Sequence, residues 1–196
     1  MRTLEKITIK KDFRCLKAGQ VFEFREGANL LVGDQGTGKS TLLLLITRAF
    51  GNKKTFNRSA LMTYDIEEMV EIVRAEKGWF FAHDFEGDNP KTVVAFGMAG
   101  MIKQELQMAA MRWSHGEFTR SLVSQIGKET GGLMVLDEPD AGLAPSSAVL
   151  LAERLNVAHS RKAQVIASVH NPIVIASVDE VFDMERLAWV SSASYL

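Results

Sequence analysis

Short apolar segments alternate with polar turns along this chain. Residues 4–10, Leu-Glu-Lys-Ile-Thr-Ile-Lys, alternate in the way a half-buried strand does, and so do residues 21–24, Val-Phe-Glu-Phe. Lys-Ala-Gly-Gln at 17–20 carries turn chemistry between them, so an antiparallel pair is expected. Residues 28–32 form a short apolar strand ending in glycines, and residues 39–50 a helix closed by Gly51. Residues 52–59 are polar and loop-like. Residues 63–77 fit two patterns: a helix that Asp65 caps with Glu68 reaching back, or a strand over 69–73. A buried strand is expected at 79–82, a loop at 84–90, and helices at 98–112, rich in methionine, and at 116–129.

The remainder alternates more cleanly. Strands are predicted at 133–136 and 164–169, helices at 146–159 and 172–176, and edge strands at 180–184 and 188–191. Strands alternating with helices predict an α/β fold, a mainly parallel sheet flanked by helices with an N-terminal antiparallel β segment. There is no internal repeat and no low-complexity tract, and the 196 residues are read as a single domain spanning 1–196.

Composition narrows the class. With 23 basic and 24 acidic residues the net charge is −1, which gives no indication of DNA binding; DNA could enter only through a local patch or a partner. The single cysteine, Cys15, cannot form an internal disulfide, and the N-terminus lacks a signal-like apolar region. A cytoplasmic location is therefore expected. No apolar run approaches the length of a membrane span, so no membrane insertion is expected.

The strongest chemical signal is Gly33-Asp34-Gln35-Gly36-Thr37-Gly38-Lys39-Ser40, which satisfies G-x-x-x-x-G-K-[ST] between a predicted strand and a predicted helix. The glycines let successive backbone N–H groups face a polyphosphate, and the helix aims its N-terminal dipole at the same anion. Lys39 supplies a positive charge to the terminal phosphates, Ser40 a hydroxyl for Mg²⁺, and Thr41 is a candidate for the α-phosphate. The pattern points to a nucleoside triphosphate. A second segment, Leu-Met-Val-Leu at 133–136, delivers two adjacent carboxylates, Asp137 and Glu138, followed by Pro139. In phosphate-loop proteins such a strand is expected beside the phosphate-loop strand, with Asp137 in the Mg²⁺ shell. Glu138, one residue on, is the candidate general base, and Pro139 is expected to end the strand.

Three further segments carry a family resemblance. Trp113-Ser114-His115-Gly116-Glu117 is similar to the signature motif of ABC-type ATPases, and Gly116 precedes Asp137 by 21 positions. Residues 141–145, Ala-Gly-Leu-Ala-Pro, resemble the D-loop of that family. His170 follows a strand and lies 33 positions after Asp137, at the place of the switch histidine. The resemblance covers nearly the whole chain and is nearest to compact SMC/Rad50-like heads. Small members of that group carry S-H-G-E, D-E-P-x-A-G-L and an E-x-x-N-P segment, the last appearing here at 86–90.

The resemblance implies an ATPase using ATP and Mg²⁺, acting as a molecular switch or motor subunit in DNA repair, DNA processing or defence. It implies a head-to-tail homodimer with two ATP molecules between the subunits. Each site would combine the phosphate loop, Asp137, Glu138 and His170 of one subunit with Ser114, His115, Gly116 and Glu117 of the other. Arg14 resembles the N-terminal arginine that some such heads aim at the phosphates. Ser40 and Ser114 are 74 positions apart, with no heptad run between them, so this is a head without a coiled-coil arm and is expected to work with another protein. Two rival readings are a transporter's ATP-binding subunit and a nucleotide-gated interaction module with negligible hydrolysis.

Three departures from the family pattern are visible. His115 stands where many members have glycine, Ala144 replaces the usual D-loop aspartate, and no glutamine sits where the Q-loop should be. Position suggests His83 or Asp84 in place of that glutamine, since Gln104 and Gln107 fall inside a predicted helix. Phe13 reads as a core aromatic or an adenine stacker, and the methionines at 98, 101, 108 and 111 as core or partner surface. Lys53, Lys54 and Arg58 read as a solvated loop or a backbone contact to nucleic acid, and the lone histidines show no zinc spacing.

Overall fold

In the computed structural model, which describes residues 3–50, 65–75, 78–84, 120, 123, 124, 126 and 130–196, the strands divide into two sheets. The smaller holds β1 (Leu4–Ile9), β2 (Val21–Glu23) and β4 (Val70–Arg74), antiparallel in the order β2-β1-β4. The larger runs β5-β6-β7-β3-β8-β9, with β3 (Ala28–Val32), β5 (Phe80–Asp84), β6 (Leu133–Asp137), β7 (Gln164–Ser168), β8 (Glu180–Asp183) and β9 (Ala188–Ser191). All its pairings are parallel except β8 with β9. The α/β architecture and the N-terminal antiparallel β segment are as the pattern predicts.

Side-chain alternation sorts the large sheet's residues into two cores. Leu31, Val135, Ile166 and Phe182 face helix α1 (Lys39–Phe50) and the small sheet, packing with Leu42, Leu45 and Ile7. Their neighbours Leu30, Leu136, Ala167 and Val181 face the opposite way, toward helix α3 (Pro145–Ser160) and helix α4 (Pro172–Ile175), with Leu151 and Leu155. Strands covered on both faces favour apolar residues on both sides, which is why residues 30–32 of β3 and 133–136 of β6 read as continuous apolar runs.

Polar staples join the sheets. Gln164 is wholly buried, yet its Oε1 accepts the N–H groups of Thr3 and Leu4 and its Nε2 donates to the carbonyls of Leu4 and Arg25. Asn29 does similar work inside the large sheet: Nδ2 donates to carbonyls of Arg25, Gly27 and Val165.

Several expectations need correction. The acidic strand β6 does not lie beside the phosphate-loop strand β3, because β7 sits between them. Of the two predicted edge strands only β9 is at the edge, since β8 pairs with β3 on one side and β9 on the other. The two readings of 63–77 are both partly right in the described residues: Asp65 caps the one-turn helix α2 (Ile66–Met69) by accepting from Glu67 N–H, and β4 follows at once. The expected capping box is not seen: the Glu68 carboxylate instead accepts from the Lys11 ammonium at 2.7 Å. The short helix α5 (Ser192–Tyr195) has no counterpart in the sequence pattern. The loop expected at 84–90 begins one residue later than predicted, because β5 runs on through Asp84 in register with β6. The rest of that loop, the loop at 52–59 and the helix at 98–112 lie outside the described residues, as does most of the helix at 116–129.

Candidate functional site

The site collects at the carboxyl ends of the parallel strands, where open α/β sheets bind ligands. The chain leaves β3 through Gly33, Gly36 and Gly38, which all take positive φ, and enters α1 at Lys39. Gly38 is constrained twice. Its φ is +102°, and a Cβ there would come within 2.9 Å of Leu16 Cδ2 and 3.0 Å of Cys15 Sγ. Those two residues belong to a tight turn closed by reciprocal backbone hydrogen bonds between Phe13 and Leu16. That turn seats on the phosphate loop and brings Cys15 into the lining of the cleft.

The same cleft is lined by Gln35, Gly36, Lys39, Ser40, Glu138 and His170, with Gly38 and Thr41 beside them. Lys39 is 5% exposed and its ammonium donates to the carbonyls of Gly33 at 2.7 Å and Asp34 at 2.9 Å. Burial pushes Lys39 below the ordinary lysine value, against the opposing pull of the Glu138, Asp137, Asp34 and Glu185 carboxylates. Asp34 is not among the residues lining the cleft; its N–H donates to Glu185 and its carbonyl accepts from the Thr37 hydroxyl.

Although β7 separates β6 from β3, the Ser40 hydroxyl still reaches Asp137 Oδ1 at 3.0 Å. The bridging strand supplies a residue that the motifs do not mark. Ser168, at the end of β7 and fully buried, donates to Asp137 Oδ1 at 2.7 Å and accepts the Glu138 N–H at 2.8 Å. Its only signal in the sequence is a hydroxyl two residues before His170.

Glu138 adopts φ 52°, a left-handed conformation sparsely used by non-glycine residues and disfavoured further by the proline that follows. It is this backbone turn, before Pro139 is reached, that ends β6. The conformation costs on the order of 1–3 kcal/mol and persists only where surroundings hold it. Here Ser168 holds the Glu138 N–H, and the Glu138 carbonyl accepts from Ala141 N–H. The result places Glu138 Oε1 3.6 Å from His170 Nε2, with both side chains partly exposed to the cleft.

The predicted residues thus converge in part. Lys39, Ser40, Thr41, Asp137, Glu138 and His170 come together. Arg14 is exposed, and its guanidinium sits over the Phe13 ring, 5.4 Å from the centroid, rather than in the cleft lining. Phe13 belongs to the core, which removes it as an adenine platform. Ser114, His115, Gly116 and Glu117 lie outside the described residues. The backbone register pairs Asp84 with Asp137, so the end of β5 reaches the level of the site. Ala144 occupies the N-cap of α3 with no side-chain bond, its carbonyl accepting from Ser147 and Ala148.

Ser40 and Asp137 are hard oxygen donors next to one another, the donor chemistry that Mg²⁺ takes. Among the described residues there is no cluster of three or more His, Cys, Asp or Glu side chains that would hold a metal without such help. Among them, too, no helix is long and apolar enough to cross a membrane.

Solved structures resemble the whole chain. A nucleotide-free ATP-binding cassette from an ABC transporter superposes with a TM-score of 0.58 at 15% identity, covering 100% of this chain and 94% of that one. An ATP-binding subunit of an ABC transporter gives 0.56 at 17%, covering 96% and 90%. A bacterial Atm1-family ABC exporter with ATP bound gives 0.57 at 18%, covering 100% of this chain and 40% of that longer one. At these identities the likeness is one of fold: this is the fold of ABC ATP-binding cassettes. No curated protein matches the sequence. A family model described as an AAA domain matches residues 6–112, more than half the chain, and the protein therefore belongs to the AAA domain family.

Proposed function

We propose that the chain binds ATP with Mg²⁺ and hydrolyses it to ADP and phosphate, acting as a switch whose ATP-bound form is a head-to-tail homodimer. The observation that carries this reading is the meeting of Glu138 and His170, 3.6 Å apart, on the wall of the cleft that the phosphate loop opens into. An acid–base pair at a phosphate-binding loop is the equipment for activating water, not merely for holding a nucleotide.

The backbone N–H groups of the loop and Lys39 would take the β- and γ-phosphates, with Lys39 leaving the Gly33 and Asp34 carbonyls it now holds. Ser40 and Asp137 would hold Mg²⁺, which when bound neutralises charge on the phosphate oxygens. Glu138 would accept the proton of the attacking water, and His170 would orient that water and the γ-phosphate. Ser114 and the N–H groups near Gly116 of the second subunit would complete the γ-phosphate site in trans, with His115 and Glu117 at the same interface. A site closed by the partner makes ATP the link between subunits.

The decisive experiment is phosphate release from Mg-ATP combined with light scattering of Glu138→Gln. Turnover in the wild type and an ATP-dependent dimer in the variant are expected. A variant that binds Mg-ATP yet stays monomeric would remove the sandwich arrangement. A second reading, the ATP-binding subunit of a transporter, draws on the cassettes that share the fold. Co-purification with an integral membrane protein would favour it.

A further inference from the structure

Asp140 has no part in the motifs or in the mechanism above, yet it is among the most buried charged side chains of the described residues, with 5% exposure. Its Oδ2 accepts two backbone N–H groups thirty residues away, from His170 at 2.7 Å and from Asn171 at 2.5 Å. Its Oδ1 is buried and receives no hydrogen bond among the described residues. A carboxylate is expensive to bury, and two charge-assisted bonds to the same short segment are what offset the cost here.

The bonds do not serve to start helix α4. Asn171 already caps it, its own side chain accepting from Ile173 N–H. Nor does the sheet hold this segment, because the last ladder bond on this side is Val169 N–H to Leu31. Beyond Val169 the chain leaves β7, and the N–H groups of both His170 and Asn171 go to Asp140. Asp140 in turn stands two residues beyond Glu138, in the turn closed by the Ala141 N–H to the Glu138 carbonyl. One turn therefore carries Glu138 directly and His170 through a carboxylate.

We propose that Asp140 is a positioning residue that sets the placement of His170 against Glu138, acting through the His170 main chain rather than on substrate. The proposal rests on the reading that this site hydrolyses ATP. Its consequence is that a shift in the 138–144 turn, which follows the acidic pair, is transmitted to His170 without passing through the nucleotide. The side chain needed is one that offers an oxygen acceptor to two N–H groups, a demand that asparagine meets and leucine, of similar size, does not.

The test is Mg-ATP turnover and nucleotide affinity of the full chain as wild type, Asp140→Leu, Asp140→Asn, His170→Ala and the Asp140→Leu/His170→Ala pair. Asp140→Leu is expected to lower kcat about 10- to 100-fold, as small misplacements of reacting groups do. Its KM for ATP should stay within about twofold, because the phosphate loop is untouched. Asp140→Asn should keep turnover within about threefold of wild type. The double variant should be no slower than His170→Ala alone, since the first residue acts through the second. If Asp140→Leu does not fold, Asp140→Ala replaces it with the same expectations. In the wild type, hydrogen exchange should find the amides of His170 and Asn171 protected. Wild-type kcat in Asp140→Leu, an Asn variant as slow as the Leu variant, losses that multiply in the double variant, or unprotected amides would each overturn the inference while the hydrolysis reading stands. A wild type that binds nucleotide without turning it over would overturn both.

Discussion

At the scale of single residues, Ser168 shows how much chemistry one buried hydroxyl can organise. It donates to Asp137 and accepts from the Glu138 backbone, so the two adjacent acidic residues share one anchor. Ser168→Ala leaves the Glu138 N–H of a strained residue without its partner, an omission worth on the order of 1–3 kcal/mol where the group stays buried. The expected outcome is a fall in kcat of roughly tenfold with little change in nucleotide affinity; steady-state kinetics beside equilibrium binding would show it, and unchanged kcat would refute it. Lys39 carries a pH signature. Its folded value is held below the ordinary 10.5 by burial, whereas the unfolded chain keeps the ordinary value. Between the two, the unfolded chain holds a proton that the folded chain has released, so the Lys39 contribution to stability rises with pH over that interval, while Tyr195, raised by burial, contributes in the opposite sense above the ordinary tyrosine value. Thermal melts across alkaline pH should therefore show a more positive slope in the wild type than in Lys39→Met; equal slopes in both proteins would contradict it.

Elements are held by contacts that no local pattern announces. Gln164 opens β7 but spends its side chain on the backbone of β1 and the segment after β2, tying the small sheet to the large one. Gln164→Leu fills the volume and strands two N–H and two carbonyl groups, for an expected loss of about 3 kcal/mol or more. For a chain of this size that is a drop in Tm of roughly 6–12 °C, readable by calorimetry. A change under about 2 °C would mean that the small sheet does not depend on it. The Phe13–Leu16 turn is a second such contact, pressed on Gly38. Gly38→Ala is expected to weaken nucleotide binding by at least about tenfold, measured by titration with a fluorescent ATP analogue, since the +102° φ strains any side chain there and the added methyl group would also push on the buried Leu16.

For the molecule as a whole, the prediction concerns assembly. Ser114→Arg should leave nucleotide binding intact and abolish turnover, because in the proposed dimer Ser114 serves only the partner's γ-phosphate. Wild-type turnover in that variant would remove the trans arrangement. Local elements and the phosphate loop are legible in the sequence because each depends on near neighbours in the chain. Strand periodicity, the Gly-Lys-Ser spacing and the adjacent carboxylates are local statements. Strand order is not. The motifs lead one to expect the acidic strand directly beside β3, and the sheet instead has β7 between them. The order matters chemically, because it lets Ser168 on β7 mediate between Asp137 and Glu138. Likewise the local pattern offers Glu68 for a capping box, but its carboxylate pairs with Lys11, 57 residues away. In the sequence Phe13 stays open between core and adenine because an aromatic beside a turn satisfies either, and burial among Leu16 and its neighbours settles it.

What the sequence determined by itself is therefore the set of parts: an α/β alternation, a phosphate loop, an acid pair, and a histidine after a strand. These follow from backbone propensity and spacing, which act over a few residues. The tertiary structure decided which of the parts meet. It brought His170 to 3.6 Å from Glu138, gave Asp137 two hydroxyl partners, and made Asp140, which belongs to no motif, the support of the histidine segment. Such pairings span 30 to 97 positions of chain, a range over which only the packing of sheets and helices fixes distance.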